Sequence, residues 1–160
     1  MDGNTIVVRK AGGDDIARIE DLDRRWSAEN ITINPSSPAS KEELAAHSCL
    51  FVALDSGRVI GYACGDLAVG DGSDREVAVK YAFFEVGDIY VLPELRNRGI
   101  GGLLLEKLIK YGKEHGMKKF LLTASHKDMK RLLRFHLAHG FKECPHAISH
   151  FGERRLVRIE

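Results

Sequence analysis

The chain has little of what marks several large protein classes. Three cysteines stand in 160 residues, at 49, 64 and 144. Their odd number, wide spacing and lack of any Cys-x-x-Cys pair exclude a disulfide framework and a structural zinc site, and favour a reducing, cytoplasmic setting. No apolar run approaches the roughly 18 residues of a membrane span. The polar start Met1-Asp2-Gly3-Asn4 lacks the basic and apolar regions of a signal peptide. Charge of one sign is also missing: 24 basic against 23 acidic residues leave a net charge of +1, and there is no basic stripe with interleaved aromatics. That argues against a nucleic-acid or anionic-membrane partner. No repeat or low-complexity linker divides residues 1–160, so one domain is expected, burying roughly 70% of the surface its unfolded chain exposes.

What is present is concentrated between residues 85 and 105. The run Glu-Val-Gly-Asp-Ile-Tyr-Val reads as a strand, Pro93 breaks it, and the turn Arg96-Asn97-Arg98-Gly99-Ile100-Gly101-Gly102 leads into a leucine helix. Glycines let phosphates approach the backbone where N–H groups converge at a helix N-terminus, so the segment suits a pyrophosphate. A P-loop is excluded because no Gly-Lys-Ser/Thr occurs. A dinucleotide fingerprint is excluded because Leu103-Leu104 follows Gly99-x-Gly101, where a third glycine is needed.

Spacing places the remaining elements. A strand is expected from Thr5 to Arg9, then a helix with Ile16, Ile19, Leu22 and Trp26 on one face, capped by Asp14 or Asp15. Trp26 is expected in the core. The proline- and serine-bearing stretch 31–40 reads as a loop, followed by a helix over 41–48 with Ser40 and Glu43 forming a capping box. Strands at Cys49–Leu54 and Arg58–Val69 flank the turn Asp55-Ser56-Gly57, and a turn at 70–74 leads to a long strand from Glu76 to Val91. A helix from Gly101 to Glu114 ends at Gly116, and a strand at Lys119–Thr123 lies parallel to the one before that helix. A helix from Asp128 to His139 ends at Gly140, and strands near Phe141–Cys144 and Arg154–Ile159 close the sheet.

The segment 85–105 resembles the GNAT superfamily of N-acetyltransferases. Ile6-Val7-Val8-Arg9-Lys10-Ala11 and Arg134-Phe135-His136-Leu137-Ala138-His139-Gly140-Phe141 extend the likeness over most of the chain. The resemblance implies an α/β (α+β) fold, with a mixed, twisted sheet of six to seven strands flanked by about four helices. It further implies acetyl-CoA as donor, held by Ile89, Tyr90 and Val91 along the pantetheine and by Arg96 to Gly102 at the pyrophosphate. Arg96 and Arg98 are the candidate phosphate partners. The acceptor is a primary amine on a small molecule or protein, and acetyl moves by direct transfer in a ternary complex. Homodimers are common in the family, although no feature of this chain specifies an interface.

A primary amine of pKa near 10.4 must lose a proton before it attacks. The resemblance puts a base at Glu85, with Asp88 the other nearby carboxylate, because the later stretch Thr123-Ala124-Ser125-His126 carries none. The Val91 N–H is the implied oxyanion donor. The family's tyrosine acid is replaced by His136, whose ordinary pKa near 6.5 leaves it about a quarter protonated at pH 7. The asparagine usual earlier in that helix is replaced by Met129 or Lys130. His136 with His139 lacks a third metal ligand, so no metal is expected. Cys64 and Cys144 have no adjacent base, which argues against an acyl-enzyme. Loops 27–40, 70–76 and 145–153 are expected to shape the acceptor pocket, with Glu29, Asp71, Asp74, Glu76, His146, His150 and Arg154 among them. A non-catalytic acyl-CoA-binding or sensing module is the alternative on the same fold.

Overall fold

The structure is a computed structural model that describes residues 5–33, 35–69, 82–148 and 152–160, the last four of 82–148 by backbone alone. Seven strands form one mixed sheet: β1 (Ile6–Lys10), β2 (Cys49–Asp55), β3 (Arg58–Val69), β4 (Ala82–Val91), β5 (Lys119–Ala124), β6 (Lys142–Ile148) and β7 (Arg154–Ile159). Their order is β1-β2-β3-β4-β5-β7-β6. Among the described residues, only the pairing of β4 with β5 is parallel. The expected turn at 70–74 and the start of the long strand at Glu76 lie outside the described residues. β6 runs past the expected end at Cys144 to Ile148, because β7 returns between β5 and β6 and supplies a partner for the longer strand.

Four helices complete the fold: α1 (Ile16–Glu29), α2 (Lys41–Ala46), α3 (Ile100–Glu114) and α4 (Met129–Ala138). Ile19 and Leu22 of α1 are fully buried, whereas Trp26 is half-buried and stacks on Tyr90 of β4, ring centroids 5.4 Å apart. Asp15 does not cap the first turn of α1. Its carboxylate reaches back to the Gly12 N–H at 2.7 Å and grips Arg9 of β1 at 2.7 Å, which holds it below the usual carboxylate range. Ser40 and Glu43 cap α2 reciprocally, at 3.2 and 2.7 Å.

The core lies between α3 and strands β2, β3 and β4. Leu104, Leu105, Leu108 and Ile109 of α3 are buried there with Phe84 and Phe120. Each fully buried side chain of this size contributes roughly 1.5–3 kcal/mol. Gly112 permits the close approach, since a Cβ there would stand 2.4 Å from the Phe120 ring. The helix closes on Gly116, at φ +80°, with Gly116 N–H to Lys113 O at 3.0 Å and Met117 N–H to Gly112 O at 2.9 Å. α3 is thereby fixed beneath the sheet with its N-terminus at the end of β4.

Candidate active site

β4 and β5 pair only at Phe84–Phe120, Glu85–Leu121 and Val86–Leu122. Beyond Val86 the two strands part, while β4 stays on β3 through Ala63–Ile89, Tyr62–Tyr90 and Gly61–Val91. Between these stretches Cys64 stands opposite both Gly87 and Asp88, a β-bulge that bends β4 away from β5. Gly87 makes room for it: a Cβ there would be 3.0 Å from the Cys64 carbonyl oxygen and sulfur. The Asp88 N–H donates to Cys64 Sγ at 3.3 Å.

The ladder fixes what faces the opening. Leu92 N–H donates to Ile60 O at 3.0 Å, so Ile60–Leu92 and Tyr62–Tyr90 are the hydrogen-bonded pairs. Bonded and non-bonded pairs alternate in an antiparallel ladder, which turns the N–H and C=O groups of Ile89 and Val91 towards the gap. That edge is a template for an extended amide-bearing chain such as pantetheine.

At the far end of the gap lies the glycine turn. Asn97 has φ +62° and Gly99 φ +80°, so the chain doubles back immediately before α3. Leu103 N–H to Gly99 O, at 3.1 Å, is the first bond of the helix, leaving the N–H groups of the first turn without helical acceptors. Anions are stabilised at such an end. Phe135 of α4 and His139, which caps that helix, pack over it: a Cβ on Gly101 would meet the Phe135 ring at 3.6 Å, and one on Gly102 would meet His139 Nε2 at 2.9 Å. Arg131 Nη2 donates to Asn97 Oδ1 at 3.1 Å, tying α4 to the turn. Arg98 is exposed.

The two carboxylates expected near the reaction are in unlike surroundings. Glu85 is held bidentately by Arg155 of β7, at 2.5 and 2.9 Å, with Thr123 Oγ1 3.1 Å from the same guanidinium. Asp88 faces a hollow of roughly 100 Å³ between α1, the loop after it and β4, lined by Asp23, Trp26, Thr32, Pro35 and Ser36 among others. Burial, and then the charge of Asp23, raise the Asp88 pKa above the usual carboxylate value, with His47 opposing. Asp23 is 8% exposed and accepts from Tyr62 O–H and Ala39 N–H, both at 2.6 Å. The acid therefore pins the loop that borders the hollow. Asp23 was legible in principle, because it falls on the Ile19-Leu22-Asp23-Trp26 face, and an acid on an apolar face needs partners.

His136 is 6% exposed, and burial together with His139 pushes its pKa down to about 4. The sequence-based estimate of a quarter-protonated imidazole does not hold, since it used the pKa of a solvated ring. At pH 7 only about one ring in a thousand would be charged. Arg96, expected at a phosphate, instead donates from Nε to Val91 O at 2.9 Å and from Nη2 to Glu29 Oε1 at 2.8 Å. Burial raises the Cys64 thiol far above its ordinary pKa, which disfavours its thiolate. Among the described residues, no group of three His, Cys, Asp or Glu side chains is placed to hold a metal ion, and no helix is long and apolar enough to cross a membrane.

The family model described as acetyltransferase (GNAT) family matches residues 16–141. No curated protein matches significantly. Among solved structures, a phosphinothricin acetyltransferase from Sinorhizobium meliloti in complex with acetyl-CoA is 24% identical, with a TM-score of 0.73, covering 97% of this chain and 88% of that one. A ribosomal-protein-alanine N-acetyltransferase from Brucella melitensis is 19% identical, with a TM-score of 0.73 and coverages of 96% and 99%. The N-acetylglutamate synthase of Neisseria gonorrhoeae, complexed with coenzyme A and N-acetyl-glutamate, is 18% identical with a TM-score of 0.68; 98% of this chain matches 35% of that longer one. At these identities the likeness is one of fold. With the family model spanning most of the residues that build the sheet, the gap and the glycine turn, the chain belongs to the acetyltransferase (GNAT) family.

Proposed function

We propose that this protein transfers an acetyl group from acetyl-CoA directly to a small primary amine, with Asp88 rather than Glu85 as the base. The observation that carries the reading is the bulge at Gly87-Asp88, which opens the gap on one edge of β4 and turns a carboxylate of raised pKa into the hollow. The residues present fit the donor. The groove-facing N–H and C=O of Ile89 pair with the pantetheine amides, and the backbone from Arg96 to Gly102 with the exposed Arg98 side chain receives the phosphates.

Acetyl-CoA supplies the thioester, and this chain supplies three functions around it. Asp88 takes the proton of an ammonium that enters the hollow beside Asp23 and Trp26. Its raised pKa makes it a better proton acceptor than an ordinary aspartate, and such a base contributes typically 10²–10⁴-fold. Glu85 suits this role less, because both its oxygens are engaged by Arg155. The Val91 N–H stabilises the oxyanion, a donor worth roughly 2.7–4 kcal/mol in other acyl-transfer enzymes. His136, neutral and buried, lends shape to α4 rather than a proton. The second proton, shed by the nitrogen as the adduct collapses, passes through water to the departing thiolate, whose thiol pKa is near 8.5.

Two acids at the hollow favour a cationic acceptor, and its volume suits the end of a small aliphatic amine over a folded protein surface. A carboxylate in that hollow also argues against a sensing module, which has no use for a base. The test is thiol release from acetyl-CoA with purified protein and a panel of aliphatic amines, polyamines, aminoglycosides, amino acids and lysine peptides. Amine-dependent release is expected. Silence across the panel from a protein that binds CoA would overturn the transferase reading.

A further inference from the structure

Arg96 is the first residue of the glycine turn, yet its guanidinium points back along β4. Nε donates to the Val91 carbonyl at 2.9 Å, and Nη2 donates to Glu29 Oε1 at 2.8 Å. The same glutamate oxygen accepts the Tyr90 hydroxyl at 2.5 Å. The guanidinium carbon lies 5.3 Å from the centroid of the Tyr90 ring, against which Trp26 stacks. Arg96 and Glu29 side chains are 25% and 19% exposed, so the pair is largely withdrawn from water.

From this arrangement we infer that Arg96 is a positioning residue of the transfer step, held by Glu29 so that it caps the Val91 carbonyl and sets the edge that presents the Val91 N–H. The inference rests on the transferase reading for its kinetic consequence.

The physical reason lies in the ladder. Val91 turns both its N–H and its C=O to the open edge of β4. An uncapped carbonyl there would place the negative end of a dipole beside the developing oxyanion. A charge-assisted bond from Nε neutralises that end and fixes the rotation of the Val91–Leu92 peptide, the unit next to the one that carries the Val91 N–H. The geometry is specific to arginine, because two separate N–H groups of one planar fork must meet Val91 O and Glu29 Oε1 together. A lysine ammonium is a point charge on a flexible stem and does not reproduce it. Glu29 is the last residue of α1, and Trp26 on the same helix lines the hollow. The wall of the acceptor hollow and the oxyanion edge are thus joined through one ion pair, and phosphate binding is left to the backbone amides and Arg98.

The test compares Arg96→Lys, Glu29→Gln, Glu29→Ala and Arg98→Ala. CoA affinity is read by calorimetry, and kcat and KM for acetyl-CoA with the best amine of the panel. Arg96→Lys is expected to lower kcat about tenfold or more while changing the CoA Kd less than about threefold. Glu29→Gln, which keeps an acceptor for both donors, is expected to retain more activity than Glu29→Ala. Arg98→Ala is expected to weaken CoA binding several-fold. A CoA Kd that rises in Arg96→Lys as much as in Arg98→Ala, with kcat retained, would make Arg96 a phosphate ligand and overturn the inference. The affinity arm uses CoA alone, so it decides whether Arg96 is a phosphate ligand even if the wild-type protein releases no thiol, an outcome that would count against the transferase reading instead.

Discussion

Glu85 and Arg155 form a two-point ion pair across β5, at 2.5 and 2.9 Å, with side chains 31% and 19% exposed. Both oxygens of Glu85 are already engaged by the guanidinium, and a proton taken from substrate would have to displace it. Among the described residues, Asp88, on the same strand and beyond the bulge, has no such two-point cationic partner; the charge of Asp23 raises its pKa further, with His47 opposing.

The first prediction follows from that contrast. Asp88→Asn is expected to lower kcat by roughly 10²–10⁴-fold with little change in CoA affinity. Glu85→Gln is expected to retain most of the turnover and to lose about 1 kcal/mol of stability from the weakened pair. Steady-state kinetics with calorimetry, and urea unfolding, measure these. Loss of turnover in Glu85→Gln beyond that in Asp88→Asn would restore Glu85 as the base.

A second concerns pH. The Asp88 pKa is raised, so the acid limb of kcat/KM should inflect above the ordinary aspartate value near 3.9 and vanish in Asp88→Asn. The sign for stability is the reverse of that for activity. The folded protein binds this proton more tightly than the unfolded chain, so the native state loses stability as pH rises from the ordinary value through the raised one. Asp88→Asn should therefore unfold at a higher temperature than wild type at neutral pH. An unchanged or lower Tm would contradict the strained carboxylate.

His136 gives the opposite case. Its folded pKa of about 4 lies below the unfolded value near 6.5. Stability linked to this group is fully present above pH 6.5 and is lost as pH falls towards 4, by about 3 kcal/mol in all. Imidazole NMR titration should show one ring that stays neutral at pH 5.5. His136→Phe should flatten the acid-side loss of stability without adding or removing a basic limb in the rate profile.

Packing supplies a fourth. Gly112→Ala places a methyl 2.4 Å from the Phe120 ring and 3.2 Å from Phe84 in the floor of the sheet. Overpacking of this kind typically costs 1–3 kcal/mol, so unfolding should move to lower urea with an unchanged slope. Gly116→Ala meets no atom within 4 Å but sits at φ +80°, and its cost should be the backbone strain alone, of order 1 kcal/mol.

Much of this molecule was legible because its signals are local. Ser40 and Glu43 lie three residues apart and cap α2 as expected; Gly116 and Gly140, at φ +80° and +84°, end α3 and α4 where the sequence places glycine. The turn from Arg96 to Gly102, with Gly99 at φ +80° just ahead of α3, is where the glycines placed it for the same reason. The pairings that decide the chemistry are not local. Arg96 meets Glu29 across 67 residues, and Arg155 meets Glu85 across 70.

The sequence by itself determined the elements, their approximate bounds and the family, since hydrophobic period, caps and turn glycines act over a few residues. Only the tertiary structure decided which carboxylate stands in the hollow, which arginine is already engaged and that His136 is buried. The Glu-Val-Gly-Asp-Ile run does not reveal that Gly87 and Asp88 share one partner across the ladder; that follows from the register with β3, and the extra residue brings Glu85 and Asp88 to one face despite their spacing of three. Proton affinities likewise depend on burial and on charges brought close by the fold, and neither is a property of a residue's neighbours in the chain.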